Sequence, residues 1–198
     1  MDPTDHASQT DLSDYTVGDF KPGRGKLTQI LWYYCSLLVF ESGWLPVHGL
    51  KCAMLRWFGA TVGRGVVIKP NVRIKYPWRL SIGDFVWIGQ AAWIDNLAEV
   101  TIGSHACLSQ GVYLCTGSHN AHSAGFELKT EPITIGDGAW VAARTMVLQG
   151  VTFGPNSMAA AGSVVIKDVP ATRIVGGNPA KPIGNRSHVC DPTPQEHP

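Results

Sequence analysis

The stretch IGDGAW VAARTM VLQGVT FGPNSM AAAGSV VIKDVP, residues 135–170, divides without remainder into six-residue units. Each unit opens with Ile, Val, Phe or Ala, and its fifth residue is Ala, Thr, Val or Ser. Toward the N-terminus the pattern recurs in units beginning at 62, 68 and 74, at 82, 88 and 94, and at 102, 108 and 114. Fourteen of the fifteen opening residues are Val, Ile, Leu or Phe, with Ala159 the exception. Fourteen of the fifteen fifth positions are Val, Ala, Ser or Thr, with Trp78 the exception, and ordinary composition does not produce two such columns together.

A period of six, broken by Gly in every turn, excludes the 3.6-residue periodicity of a helix. It predicts an all-β chain wound as a parallel β-helix of about five coils, three short strands to a turn. One large and one small residue of each unit point inward, and successive coils pair about 4.8 Å apart. The aliphatic-glycine pairs at Val62, Ile82, Ile102, Ile135 and Phe153 are spaced by 20, 20, 33 and 18 residues. Against an 18-residue turn, surpluses of two fall near Pro77-Trp78 and Leu97-Ala98 and predict small bulges at one corner. The surplus of fifteen is an excursion, GSHNAHSAGFELKTEP, that leaves the coil at about 117–134. A loop that interrupts so regular a scaffold points to function.

Outside the repeat, residues 1–25 read as a flexible arm, disordered or loosely docked, and 185–198 as a disordered tail. Residues 26–60 read as a helical cap in two parts, with Gly43 and Pro46 between them and Leu27, Ile30, Leu31, Tyr34, Leu37 and Leu38 at helical spacing. Such a cap shields the open sheet edge of the first coil. The alternative is an interfacial helix pair, with Trp32, Tyr33, Tyr34, Trp44 and Trp57, that brings the protein to a membrane surface. The β-helix itself spans 61–184.

Sixteen basic and fifteen acidic residues leave a net charge of +1, which gives no footprint for a nucleic-acid backbone. The five cysteines, Cys35, Cys52, Cys107, Cys115 and Cys190, are odd in number and form no C-x-x-C pair. Neither a disulfide framework nor a zinc site is legible, and a cytoplasmic location is expected. The first twenty residues lack the basic start of a secretory signal. The apolar run Ile30 to Phe40 is far short of the roughly 20 residues that span a bilayer, so any membrane contact is peripheral.

The runs PITIGDGAWVAA (132–143), GVTFGPNSMAAAGSVVIKDVP (150–170) and GGNPAKPI (176–183) resemble the hexapeptide-repeat acetyltransferases. KLTQILWYYC, LRWFGATVGRGVVIKP, YPWRLSIGD, IDNLAEVTIG and LCTGSHN are similar to the colanic acid biosynthesis (WcaF-type) subgroup, and the likeness covers about residues 25–185. The resemblance implies a left-handed solenoid, against the usual right-handed crossover. It also implies a homotrimer, acetyl-CoA in the groove between adjacent solenoids, and a sugar or lipid-linked saccharide as acceptor.

Moving an acetyl group from a thioester to a hydroxyl needs a base for the hydroxyl proton, a donor for the oxyanion and a groove for the CoA arm. His119 is the candidate base: it closes its unit at an outward position where the excursion begins, and Thr116-Gly117-Ser118-His119 matches the family's TG-H pattern with one residue inserted. His122 is the competing imidazole. Glu99, Glu127 or Glu131 could fix the ring, and Asp95, stacked beneath Cys115, could orient it or bind the acceptor. Ser118 falls in the inward small column, so no nucleophile is legible and direct transfer is expected. The resemblance places CoA contacts on Trp140, Ala143, Ala161, Ile166, Lys167 and Lys181, with an oxyanion donor among the N–H groups near 142–143. Two positions depart from the family: Ile166 stands where Thr is common, and Pro182 follows Lys181. Trp87, Trp93 and Trp140 share the outward last position of their units and form a candidate interface or sugar platform.

Other readings are a β-helix scaffold without catalysis and a metal enzyme of the γ-carbonic-anhydrase kind. The second needs three histidines in register, whereas the solenoid offers His105, His119 and His122, two of them on one loop. No metal is expected. Serine acetyltransferases match the shared coils but not the 26–58 region.

Overall fold

The computed structural model describes residues 10–45 and 47–186, so Pro46, the arm's first nine residues and the tail beyond 186, with Cys190, lie outside the described residues. The repeat folds as a left-handed parallel β-helix with three flat faces. The first face stacks Thr61–Val62, Leu80–Ile82, Val100–Ile102, Ile133–Ile135 and Thr152–Phe153. The second stacks Val67–Ile68, Trp87–Ile88, Cys107–Leu108, Trp140–Val141, Met158–Ala159 and Arg173–Gly177, and the third runs from Arg73–Ile74 through Trp93–Asp95 and Tyr113–Cys115 to Met146–Val147 and Val164–Val165. Five complete turns are therefore followed by part of a sixth, in which Val175 stacks on Ala159. The antiparallel strand Ala180–Asn185 then folds back on Arg173–Gly177, and GGNPAK is the hairpin between them.

Register follows the periodic columns. Ile82 pairs with Ile102, Ile102 with Ile135, and Ile135 with Phe153, so the whole excursion is looped out without disturbing the stack. Ile68, Ile88, Ile94, Leu108, Leu114, Ile135, Val141 and Ala159 are fully buried along the axis. Glycine in second place has a steric cause. A Cβ on Gly83 would stand 2.6 Å from the Ser104 backbone nitrogen, because the next coil passes directly over it. The fourth position is a column the sequence reading overlooked. Gly65, Asn71, Phe85, Ala91, His105, Gly111, Gly138, Arg144, Gly150, Asn156 and Gly162 all take the left-handed conformation that turns the corner between faces.

The fifth column breaks where the bulges were expected. Ala98 and Ser118 are only partly buried, and Asn96 and Thr116 take the inward place, both fully buried. The extra two residues form a turn over Pro77–Arg79 whose backbone needs partners. Asn96 supplies them, accepting from Tyr76 N at 2.9 Å and donating to Tyr76 O and Arg79 O. One coil on, the Thr116 hydroxyl donates to Asp95 O and accepts from Ala98 N, both at 2.9 Å. Ser118 is not an inward residue because the chain leaves the coil after Thr116.

Helix α1 (Lys26–Cys35) continues as a wider turn over Ser36–Phe40, and α2 covers His48–Trp57. They lie over the first coil, whose carbonyls have no strand beneath them. Trp32 donates to Ile74 O at 2.8 Å, Lys51 to Lys69 O at 3.3 Å, and Arg56 to Val62 O and Gly63 O; His48 Nδ1 meets Ile68 O at 2.9 Å. The packed side of this pair is Trp32, Phe40, Cys52 and Leu55. The stripe of Leu27, Ile30, Leu31, Tyr34, Leu37 and Leu38 faces outward instead, with Trp44, and with Trp57 at 82% exposure. Among the described residues no helix is long and apolar enough to cross a membrane.

Candidate active site

The excursion is a hairpin: Gly117–His119 pairs antiparallel with Leu128–Thr130, His119 opposite Leu128. Chain reversal uses the turn Ser123–Phe126, closed by Phe126 N donating to Ser123 O at 3.2 Å, with Phe126 in the left-handed region at φ 47°. That conformation is uncommon for a bulky residue. It carries the Phe126 ring flat onto His119, centroids 4.4 Å apart and planes within 6°. The Phe126 carbonyl lies 3.0 Å from His119 Nδ1. A carbonyl only accepts, so Nδ1 carries the proton and Nε2 keeps its lone pair. A main-chain oxygen thus orients the imidazole, and none of the three glutamates does so. Glu127 instead accepts from the Ser123 hydroxyl at 2.6 Å, which holds its carboxyl below the usual range. His122 sits at the hairpin tip, its N–H near the Asn120 side chain, and lines no part of the cleft described next.

His119 borders a cleft of about 500 Å³ walled by Tyr15, Val17, Phe20, Lys75, Tyr76, Asp95, Leu97, Tyr113, Cys115, Gly117 and Leu128. Asp95 stacks directly beneath Cys115, so coil register brings the carboxylate into the same cleft as the imidazole. Its side chain is 14% exposed, paired with Lys75 at 3.4 Å, and its second oxygen accepts from the Tyr113 hydroxyl at 3.2 Å. Burial first, and then Cys115 and Asp95, push the Tyr113 phenol far above its ordinary value of 10, so it stays a neutral donor. Oδ1, the oxygen that faces the Lys75 ammonium, is buried, and its contact with Lys75 is an ion pair rather than an aligned hydrogen bond.

The arm supplies a wall that the sequence reading missed. Residues 10–20 run across the hairpin rather than away from the solenoid: Asp11 N donates to Ala124 O at 2.8 Å, and the Tyr15 ring lies 5.8 Å from that of His119. Trp78 anchors the next segment by donating to Pro22 O at 2.6 Å. No local periodicity announces these contacts.

The remaining candidates lie elsewhere on the chain. Trp140 is on the second face, its indole donating to Ser109 at 2.9 Å, and Ala143 and Ala161 belong to stacked corners, where Gly162 N donates to Ala143 O at 2.9 Å. Ile166 and Lys167 follow the third face's last strand, and Lys181 sits on the C-terminal hairpin opposite Gly176. None of these six is among the residues that line the His119 cleft. Among the described residues, no three His, Cys, Asp or Glu side chains gather as a metal site.

No family model matches the sequence. The putative colanic acid biosynthesis acetyltransferase WcaF of Escherichia coli is 39% identical over 178 residues, which is 89% of this chain and 97% of that protein. The chain belongs to the hexapeptide-repeat acetyltransferase family. Solved acetyltransferases of this family superpose on it over most of their length. A hexapeptide-repeat acetyltransferase from Vibrio cholerae gives a TM-score of 0.74 at 26% identity, covering 82% of this chain and 92% of that one. A galactoside acetyltransferase in complex with coenzyme A gives 0.73 at 26% identity, covering 81% and 82%. Membership in an acetyltransferase family makes the protein an acyltransferase and not a bare scaffold.

Proposed function

We propose that the protein transfers an acetyl group from acetyl-CoA directly to a saccharide hydroxyl, with Nε2 of His119 as general base. The reading is carried by one observation: the imidazole, its Nδ1 tied to the Phe126 carbonyl, stands in the cleft that the Asp95 carboxylate also lines. The acceptor hydroxyl gives its proton to Nε2 as its oxygen bonds to the thioester carbonyl carbon. The carbon–sulfur bond breaks, and the imidazolium returns the proton to the leaving thiolate, so the products are the ester and CoA thiol. Asp95 positions the acceptor.

Acetyl-CoA fits the six remaining residues chemically. Ala143 and Ala161 give a smooth corner for the pantetheine arm, Trp140 and Ile166 flank it, and Lys167 and Lys181 offer exposed charge to phosphates. The Ala142 N–H is spent on Ala159 O at 3.0 Å, which leaves the Ala143 N–H as oxyanion donor. None of the six lines the His119 cleft, which supports a site completed by a second copy, as in a homotrimer with its sites between subunits. The relatedness to a colanic acid biosynthesis acetyltransferase supports a polysaccharide or lipid-linked saccharide acceptor, met in the cytoplasm. The outward apolar stripe of α1 supports peripheral contact with the inner membrane. A thiol-release assay with acetyl-CoA across a sugar panel tests the assignment. His119→Ala lowers turnover by about 10²–10⁴-fold while CoA affinity is retained; undiminished turnover rejects His119 as the base.

A further inference from the structure

The His119 cleft does not end at Asp95. It shares Lys75, Tyr76 and Asp95 with an adjoining cavity of about 330 Å³ that reaches Glu41 and Arg73. That cavity in turn shares Glu41, Arg73 and Trp93 with a third, of about 480 Å³, bounded by Asn71 and Ala91. The three adjoin one another through these shared walls along the third face, from the catalytic corner to the cap, and each alone is within the size that takes a small molecule.

The walls of these cavities combine aromatic rings with charges already neutralised in pairs. Trp93 stacks on Tyr113 at 4.5 Å, and the Arg73 guanidinium lies 5.9 Å from the Trp93 ring. Arg73 pairs with Glu41 at 3.5 Å and Lys75 with Asp95 at 3.4 Å. Two cations balanced by two carboxylates do not call for a charged ligand. They offer alternating donors and acceptors, which is what vicinal hydroxyls require, beside apolar ring surface for the C–H flanks of a pyranose. The Asp95 carboxylate, ion-paired through Oδ1 with Lys75, lines both of the first two cavities.

We propose that the acceptor is an oligosaccharide of at least two pyranose units, the acetylated unit at His119 and its neighbour in a subsite made by Arg73, Glu41 and Trp93. The proposal rests on the acetyltransferase reading of the His119 cleft and adds the length of the substrate to it. Calorimetric titration of the CoA-loaded protein with gluco- and galacto-oligosaccharides of one to four units tests it without turnover, since no acetyl group is present. Disaccharides and longer members bind about tenfold more tightly than the monosaccharide. Trp93→Ala removes that gain, and so does Arg73→Gln, which keeps the aromatic stack, with unaltered circular dichroism confirming the fold. Affinity that is flat with chain length, absence of binding across the series, or a length gain that survives both substitutions overturns the proposal. Thiol release separates the two readings: length-dependent binding without release removes the reaction and keeps the subsite, and release without length dependence does the reverse.

Discussion

His119 is held ready by a main-chain oxygen seven residues further on. A carboxylate partner would place a full negative charge against the imidazole; a carbonyl fixes the tautomer with less charge. The strain at Phe126 is local and is offset by its ring stacking on the imidazole. Glycine shows the same dependence of residue choice on backbone. Gly162 has φ +72° and open space where a Cβ would point, whereas Gly83 faces the next coil's backbone. Gly162→Ala is therefore expected to cost about 1–2 kcal/mol, a purely conformational loss. Gly83→Ala is expected to cost more, through steric displacement of the coil above it. Chemical denaturation of the two variants checks the ranking.

The helical cap works through hydrogen bonds as much as through burial. Its side chains take up the carbonyls that the first coil would otherwise present as an open edge. Lys51 does so from a fully buried position over the Phe40 ring, and burial pushes its ammonium below the ordinary 10.5. Because the unfolded chain then holds that proton more tightly, stability rises with pH from the folded-state value up to 10.5. Lys51→Met exchanges that desolvation penalty for the lost hydrogen bond to Lys69 O, so its Tm relative to the parent is expected to fall as pH climbs toward 10.5; melting curves across that range measure it. The arm makes a different contribution, since Tyr15, Val17 and Phe20 wall the cleft without belonging to the solenoid. Deleting residues 1–20 is expected to raise KM for the acceptor by about tenfold, with CoA affinity held and only a small change in Tm. Steady-state kinetics with either substrate varied separates these effects.

At the scale of the molecule, the chain carries an imidazole cleft, and the proposed CoA positions are not among the residues that line it. Sedimentation equilibrium is expected to show a trimer. Replacing Lys167 and Lys181 together by Gln is expected to weaken CoA by about tenfold while acceptor binding is retained, because exposed charge on phosphate contributes modestly.

Much of this was legible in residue order alone. The hexad columns determined the coil, its register and the looped-out excursion, because each inward position repeats the same local chemistry and a fixed step turns sequence spacing into stacking. The same register put Asp95 beneath Cys115 and so into the cleft that His119 borders. Tertiary structure alone decided the rest: Phe126 as the partner of His119, the arm as a wall, Asn96 and Thr116 as inward residues, and the outward turn of the α1 stripe. Those contacts join segments that share no period. Which of several carbonyls, rings or faces meet is settled only when backbone polar groups and apolar surface are satisfied together in three dimensions.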